Sequence, residues 1–369
     1  MNYNWHEVRL GEVLALGYGK ALPQTDRKLG GKFPVYGANG VKARSDRFLI
    51  DGPSLIVGRK GSAGEVTLTD GPSWPLDVTY YVEFDKTRYS LRYLFHLLKH
   101  LDLPALATGV KPGINRDLVY SLPVKMPPLA EQERIVRILD EALDSIDTAQ
   151  ANTLTNIEGA EALFDAELAK VMEGYASVAR TALGDICKTA AGGTPLKSDA
   201  ANYENGDIPW ILSGEVNQLE IWRATKFITN RGLENSSAKV FPKSTVLVAM
   251  YGATAGKVSI LRTPASTNQA VCGIYPTDAF APEFLAWYLR SIESQVVAQA
   301  QGNAQPNLSQ AKIRKVPLPT PSLQEQLDAV HLIEAVLDAT QDLVANLKRQ
   351  YATYSTLRSA LLREALEGF

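Results

Sequence analysis

Two long stretches of the chain place apolar residues three and four positions apart, unlike the shorter patterns found elsewhere. In the first stretch these residues include Ile135, Leu139 and Ile146, and in the second Leu323, Leu327, Leu337, Val344 and Leu347. Steps of three and four, continued over several heptads, indicate the apolar seam of a coiled coil. We therefore predict long helices over residues 129–174 and 323–369. A single helix of this kind would expose its apolar stripe to water, so we expect the two helices to pack on one another.

Both predicted helices begin with the same signature. Pro-Pro-Leu-Ala-Glu-Gln at 127–132 recurs as Pro-Ser-Leu-Gln-Glu-Gln at 321–326, in each case after a proline-rich run. Pro128 suits a first helical turn, and Ser322 with Glu325 three residues later predicts a capping box. A separation of 194 residues superposes Glu131 on Glu325 and Gln132 on Gln326.

The segments before each helix show short strand-like runs between turn signals. The predicted strands are 54–57, 65–69 and 78–82 in residues 1–125, and 245–249 and 257–261 in residues 175–320. Each segment also predicts one helix, at 91–101 and at 283–297. Glycine, asparagine and proline clusters between these runs mark many loops. Both segments therefore predict α+β globules.

The whole chain is a repeat of half its length. The separation between matching residues is 194 in the helices, 191 to 192 in the globules and 173 at their start. This drift indicates an insertion of about 20 residues between Ile186 and Val240 of the second half. The predicted fold is two pseudo-symmetric α+β globules separated by two long helices in an antiparallel coiled coil, which would place the globules at opposite ends.

Charge is distributed unevenly along the 369 residues, although the net charge is only −2. Residues 1–125 and 175–320 carry net charges of +5 and +4, whereas 126–174 and 321–369 carry −8 and −3. Basic globules joined by acidic helices favour polyanion binding by the globules and a different role for the helices. Long solvated helices are also often rich in glutamate, so the asymmetry alone does not decide.

Length and cysteine content suit an intracellular protein with more than one domain. A chain of this length exceeds what one core usually supports. Cys187 and Cys272 are too few for a disulfide framework and fit a reducing cytoplasm. We see no signal peptide and no apolar run long enough to span a membrane, so we expect a cytoplasmic protein.

Three motifs hint at enzymatic chemistry, and each is incomplete. His96 and His100 lie four apart, but Leu97 stands where a metalloprotease helix needs glutamate. The stretch 252–257 is shorter than a phosphate loop and is followed by Val258 rather than Ser or Thr. The acid-x-Lys triplet of a metal-dependent nuclease is interrupted near Asp85. We therefore predict a chain without catalytic or metal-binding residues.

The remaining chemistry is that of nucleic-acid binding. Basic, hydroxyl and amide side chains in loops can neutralise phosphates or pair with base edges. The candidates are Arg27, Lys28, Lys42, Arg44, Arg59, Lys60, Ser62 and Lys111 in the first globule, and Thr194, Lys197, Ser198, Tyr251, Thr254, Lys257, Gln301, Asn303 and Gln305 in the second. Each of them alone is more often a solvated surface residue, but their matching positions in both halves favour the set.

The chain resembles the specificity subunits of type I restriction–modification systems. The resemblance rests on both Leu-x-Glu-Gln helix starts, on Gly-Gly-Thr-Pro at 192–195 followed by Gly-Asp-Ile-Pro-Trp at 206–210, on 251–257 and on the half-chain repeat. It spans the whole chain. The first globule departs from it, with Lys-Phe-Pro-Val-Tyr at 32–36 where the second has 207–210. Such divergence is expected if the globules read different sequences.

This resemblance implies a non-catalytic subunit. Residues 1–125 and 175–320 would each be a target-recognition domain for one half of a bipartite, asymmetric double-stranded DNA site. The helical regions 126–174 and 321–369 would set the spacer and dock two adenine methyltransferase subunits, with two restriction–translocase subunits completing the enzyme. The residues expected in the coiled coil or at these partners are Glu131, Gln132, Ile135, Leu139, Ile146, Glu325, Gln326, Leu337, Val344 and Leu347. S-adenosylmethionine, ATP and Mg²⁺ would belong to the partner subunits.

Two other functions are compatible with the residues alone. One is a nuclease or methyltransferase with unfamiliar motifs, and the other is a coiled-coil adaptor whose globules bind protein. Activity of the purified chain would favour the first, and absent or salt-independent DNA affinity the second. The sequence contains no code that converts its loop residues into the bases recognised.

Overall fold

The computed structural model describes residues 5–28, 30–298 and 308–367. The chain divides into two compact units, Met1–Thr155 with Lys348–Phe369, and Asn156–Leu347. The two long helices are therefore shared, and each contributes one part to either unit. No helix in the described ranges is both long and apolar enough to cross a membrane.

The described residues of the first unit form nine strands and three short α-helices before the first long helix. The strands are β1 (His6–Arg9), β2 (Leu14–Tyr18), β3 (Phe33–Gly37), β4 (Gly40–Ser45), β5 (Leu55–Gly58), β6 (Val66–Leu68), β7 (Trp74–Pro75), β8 (Thr79–Phe84) and β9 (Pro123–Met126). The helices are α1 (Leu10–Val13), α2 (Leu91–His100), α3 (Arg116–Tyr120) and the long α4 (Leu129–Glu173). The predicted strands at 54–57, 65–69 and 78–82 and the helix at 91–101 are confirmed within a few residues.

Three sheets build this unit. An antiparallel sheet has the order β2-β8-β5-β6, a second has the order β4-β3-β7 with β3 and β7 parallel, and β1 pairs with β9. Every residue of β5 is buried, as its unbroken apolar run requires of a strand covered on both faces. Leu55 and Val57 share a core with Leu94 of α2 and Leu139 of α4, so the long helix packs on the globule at its start.

The second unit follows the same plan with additional elements. Its strands are β10 (Arg180–Ala182), β11 (Thr189–Ala191), β12 (Ile208–Ile211), β13 (Glu220–Ile221), β14 (Lys226–Ile228), β15 (Val240–Phe241), β16 (Val246–Ala249), β17 (Val258–Leu261), β18 (Ala265–Thr267), β19 (Val271–Ile274) and β20 (Pro317–Pro319). Its helices are α5 (Leu183–Ile186), α6 (Asn230–Glu234), α7 (Pro282–Ser291), α8 (Glu293–Ala298), α9 (Gln310–Arg314) and the long α10 (Leu323–Glu367).

Strand order confirms the repeat. The order β11-β19-β16-β17 matches β2-β8-β5-β6, β14-β12-β18 matches β4-β3-β7, and β10 pairs with β20 as β1 pairs with β9. The divergent stretches at 32–36 and 207–210 occupy the equivalent strands β3 and β12. Strands β13 and β15 extend the sheets of the second unit and have no counterpart among the described strands of the first. Both lie within or at the end of the predicted insertion.

The two long helices run antiparallel. In the first unit, Gln150 of α4 donates to Ser355 of α10 over 3.1 Å, and Arg358 pairs with Asp147. Residue numbers thus rise along α4 as they fall along α10. In the second unit, Tyr175 donates to the Glu325 carbonyl over 3.0 Å, and the C-terminal part of α4 shares a core with the N-terminal part of α10. The antiparallel pairing predicted from periodicity is confirmed.

Two sequence expectations were wrong in detail. The helix predicted over 283–297 is divided into α7 and α8 at Ile292, whose φ of −107° and ψ of 14° leave the helical region. The Ser291 hydroxyl there donates to the Tyr288 carbonyl, which also accepts from the Ile292 amide over 3.3 Å. Leu323 and Leu327, expected in the apolar seam, are exposed. The neighbouring Gln326 is buried instead. The first turn of α10 therefore contacts the second globule through a polar side chain rather than through its leucines.

Asp140 of α4 fastens the long helix to α2 of the first unit. Its two carboxylate oxygens accept from Arg92 and His96, each over 2.8 Å. Burial raises the pKa of this carboxyl, but the hydrogen bonds and charges of Arg92 and His96 outweigh it, so the pKa is lowered overall. A carboxyl with a lowered pKa stabilises the fold fully above its unfolded pKa of ~3.9 and loses that contribution as pH falls through the folded value.

We therefore expect Asp140→Asn to destabilise the first unit at pH 7 by roughly 1–3 kcal/mol, because hydrogen bonds to a charged group are lost. The difference from wild type should shrink below about pH 4. Thermal unfolding of both proteins between pH 7 and pH 3.5 measures it. A difference that stayed constant across this range would contradict the ionised carboxylate as its source.

Candidate nucleic-acid interface

Two loops of the first unit pair with each other and bring four predicted residues together. The loop 58–64 meets the loop 108–114 through Gly61, whose amide donates to the Pro112 carbonyl over 2.9 Å, and through the Lys60–Gly113 bridge. This pairing places Arg59, Lys60 and Ser62 beside Lys111. Gly61 and Gly64 have φ of 83° and 86°, which only glycine adopts readily.

An exposed tyrosine lies at the edge of these loops. Tyr18, at the end of β2, is 49% exposed, and its ring contacts the guanidinium groups of both Arg59 and Arg116, whose central carbons lie 5.4 and 5.1 Å from the ring centroid. The Arg59 guanidinium also donates twice to the Asp77 carbonyl. Sequence analysis missed Tyr18 and Arg116. The only available signals were an aromatic residue between glycines at 17–19 and an arginine just after the Asn115 cap.

Other predicted residues of the first unit are engaged within it. Lys28 pairs with Asp46 over 2.9 Å, and this contact raises the Lys28 pKa. Arg44 donates to the Gly31 and Lys32 carbonyls, and Arg27 donates to the Leu22 carbonyl. These side chains hold the loops around β3 and β4, although they remain exposed enough to contact a ligand.

Lys42 lies closer to the paired loops. It is exposed, and its aliphatic part covers Gly37 at the β3–β4 turn. A Cβ on Gly58 would lie 3.0 Å from the Ala38 carbonyl, so this turn touches the start of the loop 58–64. The structure thus brings Lys42 toward Arg59 and Lys60.

In the second unit three predicted residues lie along neighbouring loops. The Thr194 hydroxyl bonds to Gln269, and the next residue, Ala270, accepts from the Met250 amide over 2.7 Å. Tyr251 follows and is 39% exposed. Thr254, the counterpart of Ser62, donates to the Ser213 carbonyl over 2.9 Å.

The remaining candidates of this unit are separate. Lys197 and Ser198 are exposed on another loop, whose Leu196 carbonyl accepts from Asn202. Lys257, expected to face a phosphate, instead pairs with Glu293 of α8 over 2.8 Å. Gln301, Asn303 and Gln305 lie outside the described residues.

The insertion supplies an aromatic and basic surface that sequence analysis missed. Trp222, Arg223, Lys226 and Phe227 are all exposed, between and along β13 and β14. Glu215 holds this segment by accepting from the Thr225 amide over 3.0 Å. Because Glu215 belongs to the same short turn as Ser213, the segment lies beside the loop of Thr254. The sequence signal for this surface was two aromatic residues, each next to a cationic residue, within residues 222–227.

The repeated glutamines of the helix starts are buried rather than exposed to a partner. Gln132 accepts from the Ser90 amide over 2.8 Å and donates to the carbonyls of Arg88 and Pro127. In the second unit Gln326 repeats all three bonds. It accepts from the Ala281 amide over 2.9 Å and donates to the carbonyls of Ala279 and Pro321. In both units the amide joins the long helix to the cap of α2 or α7.

The neighbouring glutamates differ between the units. Glu131 is buried, and a hydrogen bond from Arg134 lowers its pKa. Glu325 is exposed and closes the predicted capping box, accepting from the Ser322 hydroxyl and from the Ser322 amide, each over 2.7 Å, and these bonds lower its pKa. That capping box is confirmed.

The predicted seam residues lie where the long helices meet the two units. Ile135, Leu139 and Ile146 are buried, the first two in the core of the first globule. Leu337 packs against the core of the second unit, and Val344 and Leu347 are half-buried.

The described residues contain no group of three or more His, Cys, Asp or Glu placed to hold a metal ion. The two histidines four apart have separate partners, because His96 pairs with Asp140 and His100 pairs with Glu367 over 2.9 Å. The arrangement of both units is therefore one of cations, hydroxyls, amides and exposed rings. Such groups bind phosphates and base edges.

A family model described as "Type I restriction modification DNA specificity domain" matches residues 2–158 and 178–350. It thus occurs twice, once in each half of the chain. Among curated relatives, the EcoR124I/EcoR124II specificity subunit of Escherichia coli is 25% identical over 72% of this chain and 68% of its own. The MjaIX specificity subunit of Methanocaldococcus jannaschii is 33% identical over 45% of this chain and 38% of its own.

Solved structures share the fold. One similar solved structure concerns the complex assembly and conformational transition of the type I R-M system. A chain of that structure has a TM-score of 0.75 and 18% identity to this chain, and the match covers 98% of this chain and 97% of that chain. The HsdS subunit from Thermoanaerobacter tengcongensis has a TM-score of 0.61 and 19% identity, covering 100% and 98%.

Proposed function

Because the chain belongs to the family of type I restriction–modification DNA specificity proteins, we propose that its two recognition domains each read one half of a bipartite double-stranded DNA target. The domains would comprise residues 1–125 and 175–320, and the helical regions residues 126–174 and 321–369. The protein acts as the non-catalytic subunit that selects where partner subunits modify DNA.

The observation that carries this proposal is a scaffold that repeats while its exposed loops do not. Strand order and the glutamine bonds recur in both units. By contrast, the side chains available to a ligand differ: they are the exposed Tyr18 with the partly exposed Arg59 and Arg116 in one unit, and the exposed Trp222 and Arg223 in the other. A shared scaffold with different reading groups is what two unlike half-sites require.

The long helices support the partner part of the proposal. Both helical regions are acidic, and α4 exposes Ile138, Leu154 and Leu163 at 47%, 47% and 61%. Acidic residues repel DNA phosphates, whereas exposed apolar side chains mark protein contacts. We assign these surfaces to two methyltransferase subunits, with two restriction–translocase subunits in the complete enzyme. S-adenosylmethionine, ATP and Mg²⁺ then belong to those partners.

A methylome map of cells that express this chain with the methyltransferase subunit encoded beside it tests the function. We expect a new adenine-methylation motif consisting of two parts and a fixed nonspecific gap. Replacing residues 175–320 with the corresponding segment of another family member should change one part only. A changed gap or a change in both parts would contradict the domain assignment.

Failure of the map has distinct meanings. Co-purification of both proteins without any new motif would contradict DNA selection by these domains. Loss of co-purification would contradict the assignment of the helices. Salt-independent or absent DNA affinity of the complex would favour a protein-binding adaptor.

A further inference from the structure

We infer that Arg116 reads a guanine in the half-site of the first unit and that Tyr18 positions its guanidinium. This inference rests on the proposed function and names the side chain that selects a base. The assignment follows from the geometry of three residues, Tyr18, Arg59 and Arg116, which come from three separate segments of the chain.

Tyr18 holds Arg116 without using its hydrogen-bond donors. The guanidinium carbon of Arg116 lies 5.1 Å from the ring centroid, a distance at which a cation is attracted to the π face. Among the described residues, Arg116 has no carboxylate within 4 Å and no hydrogen-bond acceptor for its side chain. All of its donors therefore remain available in an orientation that the ring restrains.

Arg59 contacts the same ring but differs from Arg116 in its hydrogen bonds. Its Nε and one terminal nitrogen donate to the Asp77 carbonyl over 3.1 and 2.6 Å. These bonds occupy the Nε edge, one of the two edges with which a guanidinium can bind two acceptors at once. Arg59 is thus suited to fix the ring and to add positive charge, whereas Arg116 retains the paired donors that match guanine O6 and N7.

Comparison of the halves favours a base contact over a phosphate contact. The DNA backbone is the same in every half-site, so residues that contact it are expected to recur in both units, as Ser62 and Thr254 do. The three-residue cluster does not recur among the described residues of the second unit. Gln310 takes the place of Arg116, and its amide donates to Thr189 over 2.8 Å, while Tyr251 takes the place of Arg59. A group present in one unit only is a candidate for reading what differs between the half-sites.

The test measures base preference in the complex of the full chain with its methyltransferase subunit. We expect Arg116→Ala to relax one G·C position of the first unit's half-site, with roughly a 5- to 150-fold loss of discrimination there, and to leave the other half-site unchanged. Arg88→Ala is the matched control, since Arg88 is exposed and lies 5.2 Å from the Tyr89 ring outside the loop cluster. It should leave the motif unchanged.

Tyr18 variants separate positioning from folding. Tyr18→Phe retains the π face and should retain the wild-type motif, whereas Tyr18→Leu should lose discrimination at the same base pair as Arg116→Ala. Thermal unfolding of each variant shows whether it has a folding defect. If Arg116→Ala has one, Arg116→Lys is used instead, because lysine keeps the positive charge but lacks the paired donors.

Three results would overturn the inference. These are a first half-site without a G·C pair, an unchanged motif in Arg116→Ala, or weaker binding to all sequences with a shallower salt dependence, which would mark a phosphate contact. A wild-type complex that yields no motif at all would instead contradict the proposed function, so the two failures are distinguishable.

Discussion

Replacing Gln326 with alanine is expected to destabilise the second unit by roughly 3–5 kcal/mol, because the Ala281 amide and the Pro321 carbonyl lose their partner inside the fold. The side chain is fully buried. Alanine would leave a cavity next to these groups, and each unsatisfied buried group costs about 1–3 kcal/mol. Gln326→Glu should also destabilise, because a carboxylate cannot donate to the two carbonyls that Gln326 contacts.

The measurement is thermal unfolding together with amide hydrogen exchange at the starts of α7 and α10. We expect both starts to lose protection, since the amide joins them. The nearby substitution Gln324→Ala is the matched control, because the Gln324 side chain is exposed and its amide donates to Asp328 one turn later. It should change stability by no more than about 0.5 kcal/mol. Equal effects of both substitutions would contradict the role of the buried amide.

The same substitution in the first unit provides an internal repeat. Gln132→Ala should expose the start of α2 and the start of α4 to exchange and should leave α7 protected. Equal loss of hydrogen-exchange protection in both units after either substitution would contradict the local action of the glutamine hydrogen bonds.

Lengthening both long helices by seven residues is expected to lengthen the gap of the recognised motif by about three base pairs. Seven residues preserve the heptad phase and add about 10 Å at ~1.5 Å per residue, and base pairs are ~3.4 Å apart. The insertions belong after Thr155 and after Leu347, where the chain passes from one unit to the other. Both half-sites should stay unchanged, because no recognition loop is altered.

The methylome of the co-expressed complex measures this gap directly. Insertion into one helix alone is the control. It shifts one long helix relative to the other by two turns, and contacts between them such as Gln150 with Ser355 cannot all be kept. That variant should lose methylation. An unaltered gap after the double insertion would contradict the proposal that the helices set the spacing.

Much of the secondary structure could be predicted from local sequence patterns. The helices α4 and α10, the strands β5, β6, β8, β16 and β17 and the capping box at Ser322 all follow from side chains within four positions of one another. The same holds for the repeat, because equivalent residues retain similar neighbours in sequence. Gln132 and Gln326 were recognisable as important from their recurrence, but their role was not, because their partners lie 5 to 47 residues away.

The candidate surface could be predicted only in part. Basic loop residues were visible in the sequence, yet Lys28, Arg44 and Lys257 turned out to bind acceptors within their own unit. Which cation is engaged within its own unit depends on partners 12 to 36 residues away. No local pattern specifies such pairs.

The sequence by itself determined the half-chain repeat, the two long antiparallel helices and the acidic character of those helices, because helical periodicity and charge are properties of neighbouring residues. Only the tertiary structure brought Tyr18 into contact with Arg59 and Arg116 and placed the insertion beside Thr254. These groups meet because sheet pairing and loop closure bring distant segments together, and that proximity is not encoded in any single stretch of the chain.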